Sequence, residues 1–170
     1  MDVEPGFSWD MMLSYPAELL KKGTYILILN LKNDIMINVG SLGLIKFKKG
    51  RYVYVGSAKG PGGIKARIKR HLSKNKRLWW HIDYFTVNPS VVIEAIIIIN
   101  KCGEKQVAQG LINKLPSYIK GFGSSDDKLV KSHLFMCNNE DNLYEILRNL
   151  KCNFRKFKIL TRNGGDHDIK

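Results

Sequence analysis

Arg67 and His71 stand one helical turn apart in GIKARIKRHL, where Ile64, Ile68 and Leu72 recur every four residues. That recurrence marks the buried stripe of a helix. At about 100° per residue, Arg67 and His71 fall about 60° and 20° to one side of Ile64, on one edge of the stripe. Lys65 and Lys69 take the opposite edge, and Arg70 faces outward. An arginine that borders a sheet can be held rigidly and still present two parallel donors to a phosphate. His71 beside it can donate to the same group. The plainer reading is a boundary arginine that lays its stem along apolar surface and keeps its head in water.

Tyrosines flank the same region. Tyr52 and Tyr54 share one face of RYVYVG, opposite Val53 and Val55, and Tyr25 opens TYILILNL beside Gly23. Aromatic residues on strands usually serve as core or sheet cover. Here they lie around GSAKGPGG, whose glycines and Pro61 cannot continue a strand and let backbone approach closely.

The charge balance narrows the chemistry. Twenty-eight Lys and Arg face fifteen Asp and Glu, a net charge of +13, in a chain of otherwise ordinary globular composition. A surface this basic draws polyanions, nucleic acid first among them. A ribosome-associated protein, or adaptation to heat or salt, would show the same balance. Between Asp34 and Asp83 there is no acidic residue and there are twelve basic ones. One positive face is therefore expected, with Lys59, Lys65, Lys69, Arg70, Lys74, Lys76 and Arg77 giving non-specific backbone affinity by counterion release.

The elements that must position these groups read as follows. Residues 1–22 form a lead-in with a short helix at Tyr15–Lys22, residues 23–160 form one domain, and residues 161–170 form a frayed tail. TYILILNL, DIMINV, LGLIKF and RYVYVG are strands, and the turn signals KND and KKG make them two hairpins of an antiparallel meander. A helix begins at Gly63, RLWWHIDYF is a second short helix, and SVVIEAIIIIN is a strand apolar enough to be central. EKQVAQGLINKL is a helix bounded by Pro116. GFGSSDD is a loop, HLFMC and FRKFKIL are strands, and DNLYEILRNL is a helix. The fold class is α+β, a small, mainly antiparallel sheet flanked by helices. The three cysteines, Cys102, Cys137 and Cys152, suggest buried free thiols in a reducing cytoplasm, so the expected localisation is cytoplasmic. MDVEPGFSWD is no signal peptide, and VVIEAIIII is far too short to span a bilayer, so no membrane partner is expected.

GTY at Gly23–Tyr25 and YVG at Tyr54–Gly56 resemble the two signatures of the GIY-YIG nuclease superfamily, with Thr24 in place of isoleucine. Arg67, eleven residues after Gly56, stands where that superfamily places its catalytic arginine. NVGSLGLIKFKKGRYVYVGSAKGPGGIKARIKRHL, with WWHIDYF and GFGSSDDKLVKSHLF, resembles more closely a largely archaeal branch whose members also occur attached to endonuclease III-type DNA repair enzymes. The resemblance covers about residues 20–137. It implies a metal-dependent endonuclease that hydrolyses DNA phosphodiester bonds in repair or recombination. Tyr25 and Tyr54 would orient water, Arg67 and His71 would hold the scissile phosphate, and Glu104 would bind Mg²⁺ or Mn²⁺. A DNA repair protein is a second implied partner.

Each implied role suits its residue type. Mg²⁺ keeps several waters and accepts few carboxylates, and a fixed guanidinium stabilises developing charge without moving. A phenol with an ordinary pKa of about 10 is a poor base at neutral pH unless a metal or cation depresses it. Three positions compete for the ligand: Glu104, favoured because it borders the helical stripe of Val107 and Ala108; Gln106, two residues on, which has no charge; and Glu94, a strand carboxylate whose plainer role is an ion pair. The alternative function is a non-catalytic nucleic-acid-binding module on a degenerate nuclease scaffold. A third is an accessory that docks on a repair enzyme through exposed aromatics. Trp79 and Trp80 could stack on bases, although adjacent tryptophans on a short helix more often place one in the core. His81 and Asp83 suit a pin and cap for that helix, GFGSSD suits a tight surface loop, and nothing local assigns His133 a role.

Overall fold

GTYILILNL forms β1 (Gly23–Leu31), and every residue in it except Gly23 and Asn30 is buried. A strand covered on both faces still needs backbone partners on both edges. It pairs antiparallel with β4 (Gly50–Ala58) on one side and with β5 (Val91–Asn100) on the other. Two shorter strands, β6 (Leu134–Met136) on β4 and β7 (Asn153–Lys158) on β5, complete a five-stranded antiparallel sheet in the order β6-β4-β1-β5-β7. The computed structural model describes residues 16–115, 117–124 and 129–159. The expected frayed tail at 161–170, and the lead-in up to residue 15, lie outside the described residues.

Period-two alternation divides β1 between two cores. Tyr25, Leu27, Leu29 and Leu31 point to one face together with Tyr52, while Ile26 and Ile28 point to the other with Val53 and Val55. The first face is covered by α1 (Ala17–Lys21) through Leu20, by α2 (Gly63–Leu72) through Ile64 and Ile68, and by α3 (His81–Thr86) through Ile82 and Phe85. The second is covered by α4 (Glu104–Lys114) through Val107, Ala108 and Leu111, and by α5 (Glu140–Asn149) through Leu143 and Leu147. Each fully buried Leu or Ile is worth about 1.5–3 kcal/mol over its exposed state, so the helices are held by these faces. The architecture is α+β, as the residues imply.

The strand pairing differs from the expected meander. β2 (Ile35–Asn38) pairs with β3 (Leu44–Phe47) in a separate two-stranded sheet, nested as an excursion between β1 and β4. The reason is length and burial. β4 matches β1 over nine residue pairs, from Gly23↔Ala58 to Leu31↔Gly50. β2 has four residues of alternating exposure and cannot cover that edge. The excursion is pinned by Phe47, whose ring lies 4.7 Å from that of Phe85.

Two glycines set the approach of elements near the site. β4 runs on through Gly56 to Ala58, past the expected break, and a Cβ at Gly56 would lie 2.5 Å from the Tyr25 ring. At Gly63, φ is +59° and a Cβ would fall 1.9 Å from the Lys21 carbonyl oxygen, so the start of α2 can pack on the end of α1 only without a side chain.

The expectation of three free thiols is corrected. Cys102 and Cys152 form a disulfide across a separation of 50 residues, and only Cys137 is free and buried. Pairing depends on where α4 and β7 begin in space, which cysteine spacing does not encode. Among the described residues no helix is long and apolar enough to cross a membrane.

Candidate functional site

The β1/β4 register places Tyr25 opposite Gly56, and Leu27 opposite Tyr54. Cross-strand partners share a face, so Tyr25 and Tyr54 both point toward α2. The missing side chain at position 56 lets the Tyr25 ring lie across β4. α2 then lowers His71 between the two phenols. Tyr25 Oη lies 2.7 Å from His71 Nε2, and the Tyr54 ring meets the imidazole edge-on at 6.1 Å. His71 Nδ1 is buried without a partner.

These groups are neutral at pH 7, for identifiable reasons. Burial, then Tyr54 and the charge of Glu104, push the Tyr25 phenol well above its ordinary value against the pull of Arg67. Burial, Glu104 and Asp83 likewise raise Tyr54. Burial and the cations Lys76, Arg67 and Arg70 drive His71 down to about 3, with Asp83 opposing them. The expectation that His71 donates to a phosphate beside Arg67 is replaced by a buried bond to Tyr25. On α2 its wheel position falls within the apolar stripe, and His71 is 1% exposed.

Arg67 is half-buried on the same helix, and its guanidinium lies 4.2 Å from the Trp80 ring. A face-on indole fixes a guanidinium in direction without consuming its donors. Trp80 packs against the core beneath, while Trp79 stays exposed.

Glu104, the first residue of α4, comes from the opposite side of β4. Its Oε2 accepts from Ser57 Oγ at 2.6 Å, and its Oε1 lies 3.4 Å from His133 Nδ1. Ser57 alternates with Gly56 and so faces α4, away from the phenols. The carboxylate therefore reaches Tyr25 and Tyr54 through its field rather than by contact. It is 25% exposed and lines a cleft of about 670 Å³ with Thr24, Ser57, Lys22, Lys59 and Asn100. Neither phenol nor Arg67 lines that cleft.

The competing carboxylate positions separate cleanly. Gln106 is exposed at the cleft rim. Glu94 is bound to Asn30 Nδ2 at 2.9 Å and to Arg51 Nε at 3.2 Å, and Arg51 also bridges to Glu140. That ion-pair network sits at the far end of β4 from Ser57. Among the described residues no cluster of three or more His, Cys, Asp or Glu side chains could enclose a metal. One partly exposed, hydrogen-bonded carboxylate on an open cleft does fit a hard divalent ion that keeps most of its waters. Glu104 would hold it, oriented by Ser57 and His133.

The structure divides the basic residues. Lys59, Lys65, Lys69 and Arg77 are exposed. Arg70 donates to Asp83 Oδ2 and to the Arg77 carbonyl. Lys74 Nζ donates to the carbonyls of Thr86, Asn88 and Val91. Lys76 Nζ donates to the carbonyls of Arg70 and His71 and to Thr86 Oγ1. These three were expected to bind a nucleic-acid backbone, but their heads bond within the protein: Lys76 to carbonyls at the end of α2, Lys74 to carbonyls at and beyond the end of α3, and Arg70 to Asp83 and the Arg77 carbonyl. Burial and the Arg70 and Lys74 cations bring Lys76 down to about 8 despite Asp83. Burial would raise the Asp83 carboxyl, but the Trp80 and Trp79 amides, Arg70 and Lys76 hold it below the usual carboxylate range. Asp83 thus pins α3. His81 Nδ1 accepts from the Gly123 amide, and the amides of Gly121, Phe122 and Ser124 also bond within the protein, leaving GFGS a closed loop.

Ser57 and His133 were not singled out as site residues by sequence reasoning. His133 reaches Glu104 only because β6 pairs with β4 and the Val55 amide bonds the His133 carbonyl at 2.9 Å. No local pattern encodes that.

Fold and site together define a basic α+β domain in which two phenols and an imidazole are packed beside a guanidinium, with a carboxylate on the other face of the sheet. The family described as "domain of unknown function DUF123" matches residues 24–156, and the chain belongs to that family. No curated protein and no solved structure matches it.

Proposed function

We propose that the protein is a metal-dependent endonuclease that hydrolyses DNA phosphodiester bonds, a member of the GIY-YIG superfamily in its largely archaeal branch. One observation carries this reading: antiparallel β1 and β4 bring the GTY and YVG tyrosines together around His71, with Arg67 beside them on the helix after the glycine turn and Glu104 across β4. The basic surface supplies the polyanion affinity such an enzyme needs.

Arg67, aimed by Trp80, stabilises charge on the scissile phosphate. Tyr25 and Tyr54 are neutral and act as hydrogen-bonding groups that orient water rather than as bases. His71 fixes the Tyr25 hydroxyl. Glu104 holds Mg²⁺ or Mn²⁺, which when bound activates water and neutralises phosphate charge. Ser57 and His133 keep that carboxylate in place. The test is to incubate the full chain, with Mg²⁺ or Mn²⁺, with single-stranded, duplex, branched and damaged DNA. Cleavage that disappears in Arg67→Ala and Glu104→Ala supports the reading, and no cleavage of any substrate overturns it.

A second reading, a non-catalytic nucleic-acid-binding module, is favoured by the 2% exposure of Tyr25 and by the absence of the phenols from the Glu104 cleft. It expects salt-dependent DNA binding without metal, unchanged by Glu104→Ala.

A further inference from the structure

Between α2 and α3, arginines and tryptophans alternate in one stack. The Arg67 guanidinium lies 4.2 Å from the Trp80 ring, and Arg70 lies 4.6 Å from Trp80 and 4.8 Å from Trp79. Arg77 follows at 5.8 Å from Trp79. The inner end of the stack is Arg67, already placed beside the phenols. The outer end is Arg77, over an indole, Trp79, that is 62% exposed to solvent.

The backbone that carries that indole is pinned, and Arg70 lies over the ring. The amides of both Trp79 and Trp80 donate to Asp83 Oδ2 at 3.0 Å, and the same oxygen accepts from Arg70 Nη2 at 2.6 Å. The Arg70 Nη2 also closes on the Arg77 carbonyl at 2.7 Å. Although Arg70 and Arg77 lie over the ring, most of the residue stays open to water, so surface remains for a further planar group. The surroundings of the ring specify the occupant. It sits in the acid-free segment between Asp34 and Asp83, with the exposed head of Arg77 beside it. A planar group carrying anionic flanks satisfies both features: the base stacks on the ring and its phosphates meet the guanidinium.

We propose that Trp79 is the stacking platform for an unpaired nucleobase of a DNA strand. The ligand is DNA that is single-stranded where it meets the stack, because in a duplex each base face is already covered by its neighbours. The inference rests on the nucleic-acid part of the proposed function, and it names the substrate class: a strand with an unstacked base one arginine removed from the residue over the scissile phosphate. It does not rest on hydrolysis.

The experiment measures binding by fluorescence anisotropy, in EDTA at low salt, of the full chain to a fluorescein-labelled oligothymidylate and to a blunt duplex. Trp79→Ala keeps the backbone amide that bonds Asp83, and thermal unfolding verifies that it folds as the wild type does. The expected result is an affinity for the single strand lowered about tenfold or more, an unchanged affinity for the duplex, and recovery of most of the loss in Trp79→Phe. Equal loss on both DNAs, or no loss on either, overturns the proposal. Should the wild type bind neither DNA, the nucleic-acid reading falls and this inference with it. Should it bind with the expected Trp79 pattern yet cleave nothing when Mg²⁺ is restored, only hydrolysis is lost and the stacking platform stands.

Discussion

The Tyr25 hydroxyl and the His71 imidazole, 46 residues apart in sequence, share a buried 2.7 Å hydrogen bond. The bond exists because Gly56 leaves room for the phenol to lie across β4. Gly56→Ala places a methyl 2.5 Å from a ring that has no space to retreat. Overpacking of this kind costs about 1–3 kcal/mol. Tyr25→Phe keeps the ring but strands His71 Nε2, at about 1–3 kcal/mol for an unsatisfied buried group. Urea unfolding should show both losses. A neutral Gly56→Ala would mean that the Tyr25 ring does not lie across β4 at Gly56.

His71 makes stability depend on pH. Its folded value of about 3 lies far below the 6.5 of an unfolded histidine, because burial and the Lys76, Arg67 and Arg70 cations oppose a further charge. The unfolded chain then binds a proton that the folded chain refuses. The contribution is complete above pH 6.5 and shrinks as pH falls from 6.5 toward 3. Chemical denaturation from pH 7 down to pH 4.5 should give falling midpoints. His71→Gln, which can still bond Tyr25 but does not titrate, should flatten that slope. An unaltered slope would assign the effect to other groups.

How much of this was legible in the chain follows from what each signal depends on. The helix stripe Ile64–Ile68 and the apolar run of β5 are local patterns, and α2 and β5 lie where those patterns put them, whereas β4 continues past the start of the glycine turn to Ala58. The nesting of β2 and β3 between β1 and β4 depends on which edge of a doubly buried strand is free, and turn signals at KND and KKG do not carry that. The site splits the same way. Tyr25, Tyr54 and Arg67 stand out by motif, and His71 by its place on the wheel, which also puts it within the buried stripe. Ser57 and His133 meet Glu104 only through the β4–β6 register and the position of α4. The heads of Lys74 and Lys76 looked like phosphate ligands because a lysine's sequence context does not reveal carbonyls waiting at a helix end.

The Cys102–Cys152 disulfide closes a loop of 50 residues that holds α4, β6 and α5. By the chain-entropy argument a loop of that length adds about 4 kcal/mol of stability. Unfolding in the presence and absence of dithiothreitol should differ by roughly that amount, and the Cys102→Ser, Cys152→Ser double variant should match the reduced protein. Equal stability in both conditions would mean that the thiols are unpaired in solution.

On the proposed nuclease reading, His133 should set the metal dependence of cleavage without taking part in it. Its Nδ1 lies 3.2 Å from the Val55 carbonyl oxygen and 3.4 Å from Glu104 Oε1, two acceptors, so that nitrogen carries the proton. The proton fixes the ring and, through it, one oxygen of the carboxylate, while Ser57 Oγ fixes the other. Partners that orient a ligand typically govern metal affinity by about 10–100-fold. His133→Ala should raise the Mg²⁺ concentration for half-maximal cleavage by that factor, with a nearly normal rate at saturating metal. His133→Asn, whose amide can stand in for Nδ1–H, should recover much of the loss. Glu104→Gln keeps the bond to Ser57 but removes the charge, so saturating metal should not restore its activity. A His133→Ala enzyme that loses rate at saturating metal, with its metal midpoint unmoved, would show that the histidine serves the fold alone.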